Sequence, residues 1–363
     1  MKKKQYISAI LLVFSSFFAL ATDGTIKDEK KSGDLKSEIK AYIRHHLEDT
    51  HDFSIGSYTT DDGKKKYIGF SLPVILWDDG LVTFSSGKLK HGKAVHKVGS
   101  KYYKLYHGKI YRTDAEGTIS CDANKKVTND KPLDLSMTKS VVTMLFTAAL
   151  MFFLFRSLAN SYKTNGSIAA GVGRFFEPIV LYIRDDIAIP NIGEKHHRKY
   201  MSYLLTIFFF IWFLNILGLS PLGINVTGNI AVTFGLALLT FLITNLTANK
   251  NYWAHIFWMP GVPVLMKIVL APIELLGVII KPFSLLIRLY ANIQAGHIVL
   301  MSLIGLMFIF NNWLGSSLSF VLAFAISIIE VLVALLQAYI FTMLSALYFG
   351  FAVEEHEEAH EHY

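Results

Sequence analysis

Hydrophobic and polar positions change rhythm partway along the chain. Between residues 22 and 136 the apolar positions come in short clusters. Stretches 67–84 and 101–112 are rich in β-forming residues and are broken by Asp78-Asp79-Gly80 and His107-Gly108, as in strands joined by tight turns. Residues 36–47 fit a short amphipathic helix. From 137 to 353 the apolar runs lengthen toward the roughly 20 residues that a helix needs to cross a bilayer. They predict spans over 139–158, 203–219, 230–246, 285–310 and 318–351. Pro221, Gly223 and Gly228 part the second from the third, and a polar run beginning at Asn311-Asn312 parts the last two. The last run is long enough that it must tilt or protrude. Residues 261–288 differ, because Pro263, Pro272 and Pro282 interrupt an amphipathic pattern and predict a bent element lying partly at the surface. The expected fold is an all-α polytopic membrane domain of about five spans plus this bent segment, behind an N-terminal β-rich accessory domain.

The first residues add a direction. Lys2, Lys3 and Lys4 precede an apolar run from Ile7, and Ala19-Leu20-Ala21 supplies a small-x-small cleavage pattern, so 1–21 reads as a signal peptide and 22–136 as extracytoplasmic. A first membrane anchor is the alternative reading of the same run. After the first span, Arg156, Lys163, Arg174, Arg184, Lys195, Arg198 and Lys199 lie in or beside a loop reaching Tyr200, which the positive-inside rule places in the cytoplasm. Tyr252, Trp253 and Trp258 beside Lys250 resemble an interfacial aromatic belt. Five spans from an outside start leave the tail, 354–363, in the cytoplasm.

Charge sharpens the division. The sequence holds 35 Lys and Arg against 28 Asp and Glu, yet only six of these charges fall among the 153 residues 201–353. That segregation excludes a single soluble globule. The net charge of +7 lies in flanking and hydrophilic segments without an aromatic-interleaved basic module, so lipid headgroups account for it and nucleic acid is not an expected partner. One cysteine, Cys121, excludes an intrachain disulfide and any Cys-rich zinc site. His45, His46 and His51, like His356, His360 and His362 in the acidic tail, lack a recognisable ligand set and read as solvated, so no metal is expected. The Gly-Lys pairs at Gly63, Gly87, Gly92 and Gly108 show no phosphate-loop pattern and are expected at solvated hairpin tips.

Of the six charges, Lys250, Lys267 and Lys281 lie at or near the interface, Glu274 is a candidate exit group, and Arg288 and Glu330 are the charges left in lipid. Lys267, Glu274, Lys281 and Arg288 recur every seventh residue, a spacing that drifts by only about 20° per step on a helix, so they line one side. Ionisable groups in lipid usually line a hydrated path or pair with one another. Here they are Arg288, His297 and Glu330, with Asn292, Gln294 and Gln337 beside them. Arg288 and Asn292 share a face at i and i+4, whereas His297, nine residues on, lies about 13 Å along the axis and about 180° around it. Antiparallel packing of the last two spans can set Gln337 level with Arg288 and Glu330 level with His297. An arginine holds its charge and passes no proton, so it suits a fixed electrostatic barrier; a histidine and a glutamate can both relay. A buried Arg288–Glu330 salt bridge that only fixes packing is the structural alternative.

At these residues the chain resembles subunit a of the F-type ATP synthase. The resemblance rests on Pro272-Ile273-Glu274, on the run from Lys281-Pro282-Phe283 through Arg288-Leu289-Tyr290-Ala291-Asn292 to Gly296-His297, and on Asn215-Ile216-Leu217-Gly218-Leu219-Ser220-Pro221 and Gln337-Ala338-Tyr339-Ile340-Phe341. It covers about residues 138 to 351, with three separated motifs in the expected order. It implies that Arg288 faces the carboxylate of a rotating c-ring. Asn292, His297, Glu330 and Gln337 then belong to an outside half-channel and Glu274 to the cytoplasmic exit. It also implies partners in the c-ring, b-type peripheral stalk subunits and a catalytic head, no cofactor, no catalysis by the chain itself, and a bacterial inner membrane. An ion-coupled secondary transporter would show repeat symmetry between halves, and a receptor with an outside sensor would not explain the buried ionisable residues.

Overall fold

The computed structural model describes residues 49–59, 65–122, 127–166, 171, 173–220, 224–259, 262–310 and 312–354. The expected signal peptide, the helix over 36–47, His45 and His46, and the histidines of the tail lie outside the described residues. The chain divides into two compact units. One takes the chain up to Leu145 together with Leu217–Val226 and Gly305–Trp313; the other takes Phe146–Ile216, Thr227–Ile304 and Leu314 onward.

The first unit holds the strands. β1 (Asp52–Thr59) pairs antiparallel with β2 (Lys65–Ser71). β3 (Pro73–Trp77) lies between β4 (Leu81–Ser85) and β8 (Leu133–Asp134), and β6 (Lys101–Tyr106) lies between β5 (His96–Val98) and β7 (Lys109–Thr113), all antiparallel. The turns are where the polar breaks put them. Asp79 and Gly80 reverse the chain between β3 and β4 with φ of 53° and 149°, and His107 and Gly108 do so between β6 and β7 with φ of 48° and 72°. Alternate residues Val74, Leu76 and Phe84 point inward and meet Leu89, Tyr103 and Ile110 in one core. Gly87 and Gly92 depart from the hairpin-tip expectation. They bracket a 3-10 segment, Ser86–Gly92, because Leu89 between them is fully buried and draws the lysine-rich stretch onto the core.

Polar ties hold the unit around that core. The Tyr103 hydroxyl donates to Asp78 Oδ2 at 2.8 Å, and Lys101 Nζ reaches Asp78 and Asp79, each at 2.8 Å. His51 Nε2 meets Asp134 Oδ2 at 2.9 Å, so this histidine is committed to a carboxylate. Burial works to raise the Asp134 pKa, but hydrogen bonds from His51 and from the Ser136 hydroxyl and amide outweigh it and hold it at about 2. Cys121 is an exposed free thiol.

The second unit is helical. α1 (Lys139–Asn165) starts in the first unit and is longer than the expected span. The basic stretch expected as a loop is instead ordered as α2 (Gly173–Tyr182), a π-helical run (Ile183–Ala188) and α3 (Ile189–Ile192). Its Ile183, Ile187, Ala188 and Ile192 are buried, so an apolar face hidden among the charges fixes it. α4 (His197–Leu219) and α5 (Ile230–Leu246) cover the expected second and third spans; the latter agrees residue for residue, with the Asn229 side chain capping its first turn. α6 (Lys250–Phe257) turns off α5 by 100°. Tyr252 departs from the belt expectation: it is buried with Ile256, Val278 and Ala352, while Trp253 and Trp258 remain exposed.

The largest departure is α7 (Val264–Ile309), one continuous helix of 46 residues with Pro272 and Pro282 inside it, where a separate amphipathic segment and span were expected. Helical hydrogen bonding is hard to give up where water is scarce, and neighbouring groups can satisfy the few carbonyls that each proline frees. α8 (Trp313–Val353) runs 41 residues. At 1.5 Å per residue these are about 69 and 62 Å of helix, against a hydrocarbon core of about 30 Å. Small residues on the buried side of α8, among them Ala334, Ala338, Ser345 and Ala346, permit close helix approach. At Gly350 a Cβ would collide with the Asn191 carbonyl oxygen, so α3 and α8 touch there backbone to backbone. Among the described residues three helices, α1, α4 and α8, are long and apolar enough to cross a membrane, or up to four with the bent pair α5–α6 counted as one span.

Candidate functional site

α7 presents two unlike faces. Lys267, Glu274, Lys281 and Arg288 are all half-buried, as one charged stripe requires. Leu276, Ile280, Phe283 and Ile287, between and beside them, are exposed. A soluble helix would bury the second set and expose the first; this helix keeps its charges half-buried and turns one apolar face outward while Leu285, Leu286 and Leu289 fill the core, as lipid or an apolar partner demands.

Two amides join α7 to α8 one helical turn past the arginine. Asn292 Nδ2 donates to Gln337 Oε1 at 2.9 Å. On the other side of α8, the Asn215 amide from α4 donates to the Ala334 carbonyl at 3.2 Å and accepts from the Thr227 hydroxyl at 2.8 Å. These bonds fix the rotation of α8 about its axis and so the heading of its polar residues.

One turn further on, the Glu330 carboxylate lies against Gly296, and a Cβ there would fall on Glu330 Oε1. Glu330 is buried, and neither carboxylate oxygen has a hydrogen-bond partner among the described residues. His297, the next residue after Gly296, is buried as well. The structure therefore brings Glu330 to the level of His297, as antiparallel packing predicts, but no ion pair joins them among the described residues. Nor does Glu330 pair with Arg288, which removes the packing salt bridge as the reason for either charge. Arg288 stays half-buried, within electrostatic reach of the Tyr348 hydroxyl.

Glu274 sits two turns before Lys281 on the same stripe, in electrostatic reach of Lys281 and Tyr252. The Lys281 ammonium lies over the rings of Tyr348 and Phe351, 5.7 and 5.3 Å from their centroids. A small cleft opens beside it, lined by Thr240, Thr244, Asn245, Tyr252, Lys281 and Tyr348 among others. Hydropathy gave no warning of this cleft, since uncharged Thr and Asn hardly disturb an apolar run. Gly296 and Asn215 lie in the motifs that carry the resemblance, but their contacts with Glu330 and Thr227 left no trace in hydropathy for the same reason. Among the described residues no group of three or more His, Cys, Asp or Glu is placed to hold a metal ion.

Residues 141–350 match the family described as ATP synthase A chain, and residues 42–135 match a domain of unknown function, DUF8433. The ATP synthase subunit a of Chloroherpeton thalassium is 44% identical over 239 residues, spanning 63% of this chain and 71% of its own length. That of Myxococcus xanthus is 41% identical over 241 residues, spanning 64% and 78%. One from Chlorobium phaeobacteroides is 43% identical over 239 residues, spanning 63% and 70%. With the family model covering more than half of its length, this chain belongs to the ATP synthase A chain family.

Proposed function

We propose that this chain is the proton-translocating stator subunit of a rotary F-type ATP synthase, multi-pass in the bacterial inner membrane. Two offset half-channels meet a c-ring, and the chain performs no ATP chemistry itself. A proton arrives from outside by way of His297, Glu330, Asn292 and Gln337 and neutralises a ring carboxylate. After nearly one ring rotation it leaves to the cytoplasm beside Glu274. Arg288 attracts the deprotonated ring carboxylate and repels a proton taking the short way, so the two half-channels do not short-circuit. A b-type peripheral stalk and a catalytic head complete the machine.

The topology that serves this role has five spans, the fourth within α7. A cleaved signal peptide over 1–21 leaves domain 22–136 outside, the membrane domain covers 137–353, and the tail 354–363 lies in the cytoplasm. The observation that carries the reading is a carboxylate, Glu330, buried at the level of His297 with no hydrogen-bond partner among the described residues. Burying such a group serves no packing purpose and costs several kcal/mol unless water or a proton reaches it. A secondary transporter or a receptor offers no reason for an arginine one turn from an amide pair that bridges adjoining helices.

Proton-driven ATP synthesis in vesicles carrying Arg288→Ala tests the reading. Coupled synthesis is expected to vanish while the complex still assembles; synthesis at the normal rate would overturn it.

A further inference from the structure

The β4–β3–β8 sheet has two apolar faces, and the core accounts for only one. Val74, Leu76 and Phe84 fill the inward side. In an antiparallel sheet with its other side in water, the outward residues should be polar. Here Trp77 is directly opposite Leu81 on one side and Leu133 on the other, so the three side chains form a row on the outward face. They are 57%, 64% and 61% exposed. The pairing continues past β8, with the Leu135 amide donating to the Ile75 carbonyl at 2.9 Å and the Met137 amide to the Pro73 carbonyl at 3.2 Å. Leu135, 57% exposed, and Ile75 thereby form a second outward row, with Thr83 at its β4 end.

The strand carrying Leu133, Leu135 and Met137 passes through Thr138 alone before α1 begins at Lys139. The start of that helix is tied back to the sheet unit, its Lys139 amide donating to the Thr50 carbonyl at 3.0 Å. From Met137 to Leu133 is about 13 Å of strand, so the whole apolar face lies within a short reach of the point where α1 begins its candidate span. Lys131 and Lys139 flank the strip, the residue type whose long stem lets an ammonium reach lipid phosphates. A tryptophan among leucines between lysines is the composition of a headgroup-level anchor.

We propose that the outward face of this sheet, centred on Trp77, Leu81, Leu133 and Leu135, rests on the lipid surface of the leaflet on its own side, continuous with the lipid-facing surface of α1. The domain is then a monotopic element fused to a span. The proposal depends on α1 crossing the bilayer and not on the ion path, so it stands or falls separately from the proposed function.

The test uses the full chain in phosphatidylcholine–phosphatidylglycerol vesicles whose acyl chains are brominated near the headgroup end. The fluorescence lost in Trp77→Phe relative to the unmutated chain reports Trp77 alone. The expected result is strong quenching of that component by the brominated lipid. Quenching by aqueous iodide but not by brominated lipid would put the face in water. Quenching by neither would put it against protein, a second copy included. Either result overturns the proposal. Leu133→Glu supplies a second reading: it should lower the brominated-lipid quenching of Trp77 several-fold, while unchanged protection of the β3 and β6 amides from hydrogen exchange shows that the fold is intact.

Discussion

A glycine beside Glu330 and His297 shows how little room the packing of α7 on α8 leaves. Gly296 carries no charge and marks no turn, yet its missing Cβ is the space that the Glu330 carboxylate occupies. Adding that methyl forces the carboxylate to move, at a small packing cost because Glu330 can swing its flexible end aside, but away from its present position. Gly296→Ala is expected to cut ATP-driven proton pumping in inverted vesicles about tenfold, the rate equivalent of 1.4 kcal/mol. Gly296→Ala combined with Glu330→Asp should recover part of the loss by withdrawing the acid by one methylene. Asn215 works differently, through two hydrogen bonds in the protein interior. Asn215→Ala should destabilise the subunit by about 1 kcal/mol, the scale of interhelical hydrogen bonds in membranes, read as a lower temperature of thermal inactivation. The ionisable residues stood out in the sequence because each is an anomaly in its surroundings: an arginine, a histidine and a glutamate in long apolar runs. Gly296, Asn215 and Thr227 are ordinary in such runs, and only packing reveals what they do.

Among the elements, legibility followed the strength of local signals. The breaks at Asp78 to Gly80 and His107-Gly108 became turns because positive φ favours those residue types, and α5 ended where its apolar run ended. The ordered stretch after α1 was hidden because its buried isoleucines are interleaved with arginines and aspartates, which read as a charged loop. The prolines of α7 misled for the opposite reason: their strong breaker signal was overridden by a setting that penalises unpaired backbone. In β8 the carboxyl group of Asp134 makes acid stability predictable. Its folded pKa of about 2 lies below the ordinary carboxylate value. The stabilisation is therefore fully present above about pH 4 and is lost as pH falls toward 2, with a magnitude of about 2 kcal/mol. Hydrogen exchange of the β3 and β8 amides in the full chain should accelerate across that window. In His51→Ala exchange should already be faster at neutral pH, and the acid step should shrink.

For the molecule as a whole, the division of charge in the sequence became a division of surfaces. Most charged residues lie before or between the long apolar runs, and the few within α7 are half-buried while one row of their apolar neighbours turns outward. An unbroken α7 also keeps phase over its whole length. The heading of Glu274 is tied to that of Arg288 by helical rotation alone, so the two can be separated by adding residues. One residue inserted after Gly277 would turn everything before it by about 100° and shift it by only 1.5 Å. Seven would restore the heading to within about 20° while moving it about 10 Å along the axis. If angle decides which side chains stay against protein, the single insertion should lower the amount of subunit recovered from membranes severalfold, and the sevenfold insertion should restore it. Equal loss in both would mean that height along the helix matters more than heading.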